Sequence, residues 1–186
     1  MVRMHLVTWD NRKHYRKVLE RYFRIRYEIY VKQRRWRAVA RPINIEIDAF
    51  DNEHALYVLA LDTNGKIVGG SRLVPTLQPH LMSEVFPGLA GGRPPRAAEI
   101  FEWTRFFVVP SLRTQGASSP VAGFVLCGLL EAAQSLGIST DQCGLRGVLA
   151  KTAACAWLDA DRARRRSGTS RRRHHRVADR CHARGS

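Results

Sequence analysis

Residues 100–109 are the stretch that most restricts how this chain can fold, because a Glu and an Arg interrupt an otherwise apolar run. The run is rich in aromatic and β-branched residues, which is typical of a strand, and a buried charge is costly unless it is paired. Residues three apart in a regular strand point to opposite faces, so Glu102 and Arg105 share a face only if a β-bulge shifts the register. Two interpretations stay open: a bulged strand at a functional site, or an internal ion pair or one exposed charge on each face.

The length of 186 residues favours one domain that is large enough to bury a core. No apolar run reaches the roughly 18 residues of a membrane span, and the first residues lack the apolar segment of a secretory signal. The four cysteines have no CxxC pair or metal-ligand spacing. We therefore expect a cytoplasmic protein with free thiols, no membrane partner, no metal and no cofactor.

The net charge of +15 is concentrated in two segments. Residues 12–41 hold twelve Lys and Arg against two Glu, a net charge of +10. Residues 141–186 hold eleven Arg and one Lys against four Asp, a net charge of +8. A strongly basic segment suggests an acidic partner or nucleic acid. The simpler alternative for residues 12–41 is a solvated helix face.

Apolar periodicity predicts the elements of the first half. Residues 15–30 follow the spacing of an amphipathic helix, and alternation at 43–48 predicts a half-buried strand. The turn signal at 62–65 predicts a hairpin that joins strands at 55–61 and 66–74. Gly69 and Gly70 inside that second strand suggest a bulge or a close backbone approach.

The second half continues with a short helix at 81–86 and the strand at 100–109. Ser119 and Pro120 favour the start of a helix, whose body is apolar nearly all round and is therefore expected to be buried. Gly137 ends this helix. The order helix, strand, hairpin, helix, strand, helix predicts an α/β sandwich with a mixed sheet.

Several charged and aromatic residues stand at the ends or middles of these apolar elements. Asp can neutralise a cation, Arg can hold a carboxylate with a forked contact, and Trp can face a cation. A Glu among aromatic residues can have a raised pKa and act as a base. This combination suits a zwitterionic or cationic small molecule. The residues are Arg26, Trp36, Asp48, Asp51, Arg72, Glu102 and Arg105.

An ordered set of motifs in residues 15–137 resembles the acyl-homoserine-lactone synthases, the autoinducer synthases of bacterial quorum sensing. The set comprises Arg26-x3-Tyr30-x5-Trp36, Asp48-x2-Asp51, Gly69-Gly70-Ser71-Arg72-Leu73-x-Pro75-Thr76, Phe86-Pro87 and Glu102-x2-Arg105. Tyr30 stands where the family usually has Phe. The run from Glu102 to Val109 is most similar to a rhizobial branch, some of whose members use acyl-CoA or aryl-CoA instead of acyl-carrier protein.

The resemblance implies an N-acyltransferase-like three-layer sandwich and a reaction in two parts. The amine of S-adenosylmethionine attacks an acyl thioester, and the methionine carboxylate then displaces methylthioadenosine to close the lactone. It implies Glu102 and Arg105 as catalytic residues and a cleft that Phe86 and Phe106 line. The implied S-adenosylmethionine site is Arg26, Trp36, Asp48, Asp51, Arg72, Arg105 and Phe106. The implied acyl-donor cleft is Tyr30, Phe86 and Thr104.

The resemblance stops near residue 140. We therefore divide the chain into a synthase domain at 1–140 and an Arg-rich tail at 141–186, which leaves the sheet incomplete at its C-terminal side. Such a block of like charge is expected to be disordered, and it reads like translation in a shifted frame. The alternatives to a synthase are an N-acyltransferase for another small amine and a basic nucleic-acid-binding protein. The chain has no recognised DNA-reading motif, so nucleic acid is not the expected partner.

Overall fold

The computed structural model describes residues 1–36, 42–90, 92–113 and 119–138. The predicted tail at 141–186 lies outside the described residues. Every helix among the described residues is too short or too polar to span a lipid bilayer. The main elements are strand β1 (Val2–Val7), helix α1 (Arg16–Arg26) with a π-helical extension (Tyr27–Gln33), strands β2 (Leu56–Asp62) and β3 (Ile67–Pro75), helix α2 (Leu81–Glu84), strand β4 (Phe101–Val108) and helix α3 (Pro120–Ser135).

The four strands form one sheet in the order β1-β2-β3-β4, and every neighbouring pair is antiparallel. The predicted hairpin is confirmed as β2 and β3. Its turn is closed by the Asp62 carboxylate, which accepts hydrogen bonds from the backbone N–H groups of Asn64 and Lys66, both at 2.8 Å. A mixed sheet needs a parallel strand as well, and the described residues contain antiparallel pairs alone.

Helices cover both faces of this sheet, so the predicted three-layer α/β sandwich is confirmed. On one face, Leu19 and Tyr22 of α1 pack against Tyr57 of β2 and Phe107 of β4. On the other face, Val125 and neighbouring residues of α3 pack against a second apolar cluster that includes Val58 and Trp103. The polar site described below lies on the α1 face.

Close packing of α3 explains Gly69. A Cβ added at Gly69 would lie 3.0 Å from Val125 Cγ2 and 3.1 Å from the Phe107 carbonyl oxygen. The contacts of Gly69 confirm the close backbone approach that the sequence suggested for this glycine pair. The prediction that α3 is buried all round is wrong for its outer face, since Phe124 is 49% and Leu130 is 47% exposed. The helix ends at Gly137 as predicted, with φ of +67°.

The sequence missed one strand and predicted another that does not form. Residues 2–7 form a strand that was not predicted, although Val2, Met4 and Leu6 alternate with polar residues and pack on the α3 face. The strand predicted at 43–48 is instead an irregular segment that pairs with no strand among the described residues. Its backbone is fixed by a hydrogen bond from Glu46 N–H to the Phe23 carbonyl of α1, and Asn44 has a φ of +54°.

Of the two interpretations left open for residues 100–109, the structure shows the bulged strand. The pairing of β3 with β4 shifts register between Gly70 and Arg72, and Arg105 opposite this shift has a φ of +55°. Trp103 and Phe106, three residues apart, then lie on one face with their ring centroids 5.3 Å apart. Thr104 and Arg105 consequently both turn to the α1 face. Such bulges are common beside active sites.

Candidate active site

Three arginines and three carboxylates form a closed ring of ion pairs on the α1 face of the sheet. Each arginine contacts two of the carboxylates, and each carboxylate contacts two of the arginines. We call this arrangement the ionic ring. Its members in order are Asp51, Arg26, Glu46, Arg105, Asp48 and Arg72.

Arg26, the last residue of α1, joins Asp51 to Glu46. Its Nη1 and Nη2 donate to the two carboxylate oxygens of Asp51 at 2.7 and 2.9 Å, and its Nε donates to Glu46. A forked contact of this kind fixes orientation as well as charge. Tyr57 of β2 donates its hydroxyl to Asp51 at 3.1 Å. The two carboxylates are therefore fixed between α1 and the sheet.

Arg105 and Arg72 complete the ionic ring from the sheet side. Arg105 Nη2 lies 2.9 Å from Glu46 Oε1 and 2.8 Å from Asp48 Oδ2. Arg72 Nη2 donates to Asp48 Oδ2 at 3.1 Å, and Arg72 Nη1 lies 3.0 Å from Asp51 Oδ1. The bulge in β4 matters here, because it turns Arg105 toward the same carboxylates that Arg72 reaches from β3.

The ionic ring is almost completely buried and carries no net formal charge. Burial alone raises the pKa of the Asp51 carboxyl, but its contacts with Arg26 and Arg72 outweigh burial and hold the pKa well below its usual range. Burial likewise raises the pKa of Glu46, and Arg26 and Arg105 reverse that effect to give a net lowering. The charged forms of these groups are therefore favoured in the folded protein.

The ionic ring opens to solvent beside Asp48, whose side chain is 14% exposed while those of Arg72 and Asp51 are fully buried. An aromatic pair lies next to this opening: the rings of Tyr30 and Trp36 stack with centroids 5.1 Å apart. The Arg105 guanidinium lies 5.5 Å from the Tyr30 centroid and 5.9 Å from that of Trp36. Trp36 is 44% exposed, so one aromatic surface is accessible to a ligand.

The turn that presents this aromatic pair is not a regular helix. After α1 the chain widens into the π-helical segment Tyr27–Gln33, and Arg35 has a φ of +58°. Short π-helical turns are often found at functional sites. The Tyr30 hydroxyl donates to the Phe106 carbonyl at 3.0 Å, which ties this turn to the bulge in β4.

Glu102 is buried, but it contacts no member of the ionic ring. Its two oxygens accept hydrogen bonds from the backbone N–H groups of Leu81 and Met82 at 3.0 and 2.6 Å. These groups belong to the first turn of α2, so Glu102 anchors that helix to the sheet. Glu102 and Arg105 do share the α1 face, as the bulge requires.

The structure brings together most of the predicted site residues and separates Glu102 and Phe106 from the ionic ring. Thr104 joins the cluster, since its hydroxyl accepts a hydrogen bond from Arg72 Nε at 3.1 Å. Phe106 lies on the opposite face of the sheet, where its ring packs against Trp103 and the α3 cluster. Phe86, which follows α2, is 46% exposed.

Glu46 is the site residue that sequence reasoning missed. The alternating segment 43–48 suggested a strand with its apolar face inward, but here Glu46 is fully buried and Ile43 is 66% exposed. Glu46 and Asp48 of the alternation face the arginines. The available signal was the even spacing of Glu46 and Asp48, which places both carboxylates on one side of an extended chain.

Residues 10–144 match the sequence profile of the family described as autoinducer synthase. The chain belongs to the autoinducer synthase family. This confirms the resemblance that the motifs suggested.

Known autoinducer synthases are similar to this chain in sequence and in structure. The isovaleryl-homoserine lactone synthase of Bradyrhizobium diazoefficiens is 45% identical over 111 residues, which is 59% of this chain and 50% of the relative. The structure of MesI, a CoA-dependent acyl-homoserine lactone synthase, has 89% identity and a TM-score of 0.66 over 73% of this chain and 67% of that one. BjaI, another CoA-dependent synthase, with SAM and isopentyl-CoA, has 37% identity and a TM-score of 0.69 over 75% of this chain and 64% of that one. The chain thus spans half the length of the Bradyrhizobium relative.

Proposed function

We propose that this chain makes an acyl-homoserine lactone from S-adenosylmethionine and an acyl thioester. The observation that carries the proposal is the ionic ring with its aromatic opening, in which every ring member except Glu46 matches the synthase motifs. A neutral ring that opens to solvent at Asp48, with the Arg105 guanidinium behind that opening and the exposed Trp36 indole beside it, offers a partner for each charge of S-adenosylmethionine.

The opening suggests how the substrate is held. Asp48, the most exposed carboxylate of the ionic ring, suits the substrate ammonium group. Arg105 beside it suits the substrate carboxylate through a charge-assisted contact. The exposed Trp36 ring suits the positively charged sulfonium, because an aromatic face attracts a cation. Binding at this point leaves the four deeper members in place as support.

The reaction then needs no group beyond the two substrates and the chain. The ammonium first gives a proton to a base, the role that the family resemblance implies for Glu102. The amine nitrogen then attacks the thioester carbonyl carbon, and the departing thiolate takes the second proton that this nitrogen loses, which leaves an amide. A carboxylate oxygen next attacks the γ-carbon, and the bond to the sulfonium breaks with its electron pair to release neutral methylthioadenosine. Holding the reacting groups in place is the main contribution expected of the protein.

Acyl-CoA is the donor that we propose. MesI and BjaI are both described as CoA-dependent, and MesI is 89% identical to this chain where they align. The basic residues of 12–41 suit the phosphates of CoA, and acyl-carrier protein is the alternative acidic donor. Because both substrates are metabolites of the cytoplasm, we expect the protein to act there.

The test is to incubate the full chain with S-adenosylmethionine and isovaleryl-CoA and to analyse the products by mass spectrometry. We expect an N-acyl-homoserine lactone and methylthioadenosine in equal amounts. Acyl transfer without methylthioadenosine would indicate an N-acyltransferase for another reaction. Product from acyl-carrier protein alone would overturn the choice of donor, and no acyl transfer from either donor would overturn the proposed activity of this chain.

A further inference from the structure

A cavity of about 510 Å³ lies on the outer side of α1 and shares no residue with the ionic ring. Its size falls within the range of small-molecule sites, roughly 300–1,000 Å³. We call it the α1 cavity. Its lining residues are Trp9, Arg12, Lys13, Arg16, Leu19, Glu20, Phe23, Ile45 and Ile47.

The floor of the α1 cavity is hydrocarbon. Leu19 and Phe23 come from α1, and Ile45 and Ile47 come from the irregular segment that packs beside it. None of these side chains has a polar atom, so the part of a ligand that enters must itself be apolar. Apolar surface removed from water by such a ligand favours binding.

The rim of the α1 cavity is cationic. Arg12, Lys13 and Arg16 line it, and none of them has an ion-pair partner within the described residues. The single acidic residue of the lining, Glu20, already pairs with Arg24 at 3.0 Å. The rim therefore keeps its positive charge available.

We propose that the α1 cavity is a second ligand site that binds an anionic amphiphile, an acyl chain with a carboxylate head. The chain lies on the hydrocarbon floor and the head contacts the basic rim. Trp9 adds an exposed indole at the edge, with the Arg12 guanidinium 4.2 Å from its ring centroid. The cationic rim should bind an anionic amphiphile more tightly than a neutral one. The apolar floor should bind an anion with an acyl chain more tightly than a small anion.

This site adjoins the ionic ring through two shared elements. Ile45 and Ile47 alternate with Glu46 and Asp48 on one segment, so the floor of the cavity is the outer side of the chain that carries two ionic-ring carboxylates. The ring of Phe23, also in the floor, lies 5.3 Å from the Arg26 guanidinium. A bound acyl anion would touch the back of the active site without entering it.

The test uses octanoate as the probe. Acetate is the control that lacks the long chain, and 1-octanol is the control that lacks the charge. Titration calorimetry of the full chain is expected to show saturable one-to-one binding of octanoate, and binding of either control should be about tenfold weaker or more. In NMR spectra of protein with labelled isoleucine methyl groups, octanoate should shift the resonances of Ile45 and Ile47 but not that of Ile67 of β3. Neither measurement uses S-adenosylmethionine or a thioester, so the result is independent of the proposed synthase activity.

Matched variants locate the anion. Arg12→Gln with Arg16→Gln removes two rim charges and should weaken octanoate by about tenfold or more. Lys17→Gln with Arg21→Gln removes two exposed charges from the same helix outside the cavity and should leave binding unchanged. Equal binding by the rim variant, equal loss in the control variant, or no saturable binding would overturn the proposal. Binding of an acidic amphipathic peptide at this rim, without binding of octanoate, would also overturn the proposal.

Discussion

Replacement of Glu46 by Ala is expected to lower the free energy of unfolding by about 3–5 kcal/mol, because it removes one partner from a buried ion-pair network. Arg26 and Arg105 each keep one carboxylate but lose the other. The measurement is urea unfolding at pH 7. Glu20→Ala is the matched control, since Glu20 pairs with Arg24 on the exposed face of α1, where such pairs contribute less than about 1 kcal/mol.

The same network predicts loss of stability in acid. The pKa values of Glu46 and Asp51 are lowered by folding, so their contribution is fully present above the unfolded values of roughly 4 and is lost as the pH falls below them. Thermal unfolding between pH 7 and pH 3 should show this decline, with a weaker decline in Glu46→Ala. Equal stability of Glu46→Ala and Glu20→Ala would contradict the importance of the ionic ring.

Replacement of Glu102 by Gln is expected to lower the rate of lactone formation roughly 10²–10⁴-fold, the usual effect of losing a general base. The Gln side chain keeps one acceptor for the N–H groups of Leu81 and Met82 but presents an NH₂ group to the other. The measurement is kcat with saturating substrates. Glu84→Gln, an exposed change at the end of α2, is the control.

Leu81→Pro separates the two roles that Glu102 can have. Proline suits the first position of a helix, and His80 before it is already extended, with φ −145° and ψ 169°. This variant removes one N–H donor from Glu102 and leaves its carboxylate. A large loss of activity would indicate that Glu102 acts by anchoring α2, and near-normal activity would favour the base. Normal turnover in a folded Glu102→Gln protein would exclude the role of base.

The sequence predicted the features that depend on local chemistry. Two charges three residues apart in an apolar strand require a bulge if both are to be satisfied on one side, and the bulge at Arg105 follows from that requirement. The hairpin of β2 and β3 follows from its turn residues. Five members of the ionic ring followed from the family motifs.

The features that the sequence did not predict depend on the tertiary contacts of each segment. Residues 43–48 alternate like a strand, but Glu46 and Asp48 pair with the arginines, so Glu46 is buried and the segment joins no strand in the part of the chain that the structure describes. Phe106 fits the motif, yet the bulge sends its ring to the α3 face. The strand β1 carries an alternating pattern too short to be recognised before its partner β2 is known.

Titration calorimetry of S-adenosylmethionine into the full chain measures whether this substrate binds at the opening of the ionic ring. We expect one-to-one binding that Asp48→Asn weakens by about tenfold or more, because a charge-assisted contact to the ammonium is lost. Asp10→Asn, an exposed control, should bind like the unchanged chain. Equal affinity of Asp48→Asn and Asp10→Asn in folded proteins would contradict binding at this opening, as would an effect of Asp48→Asn on the thioester alone.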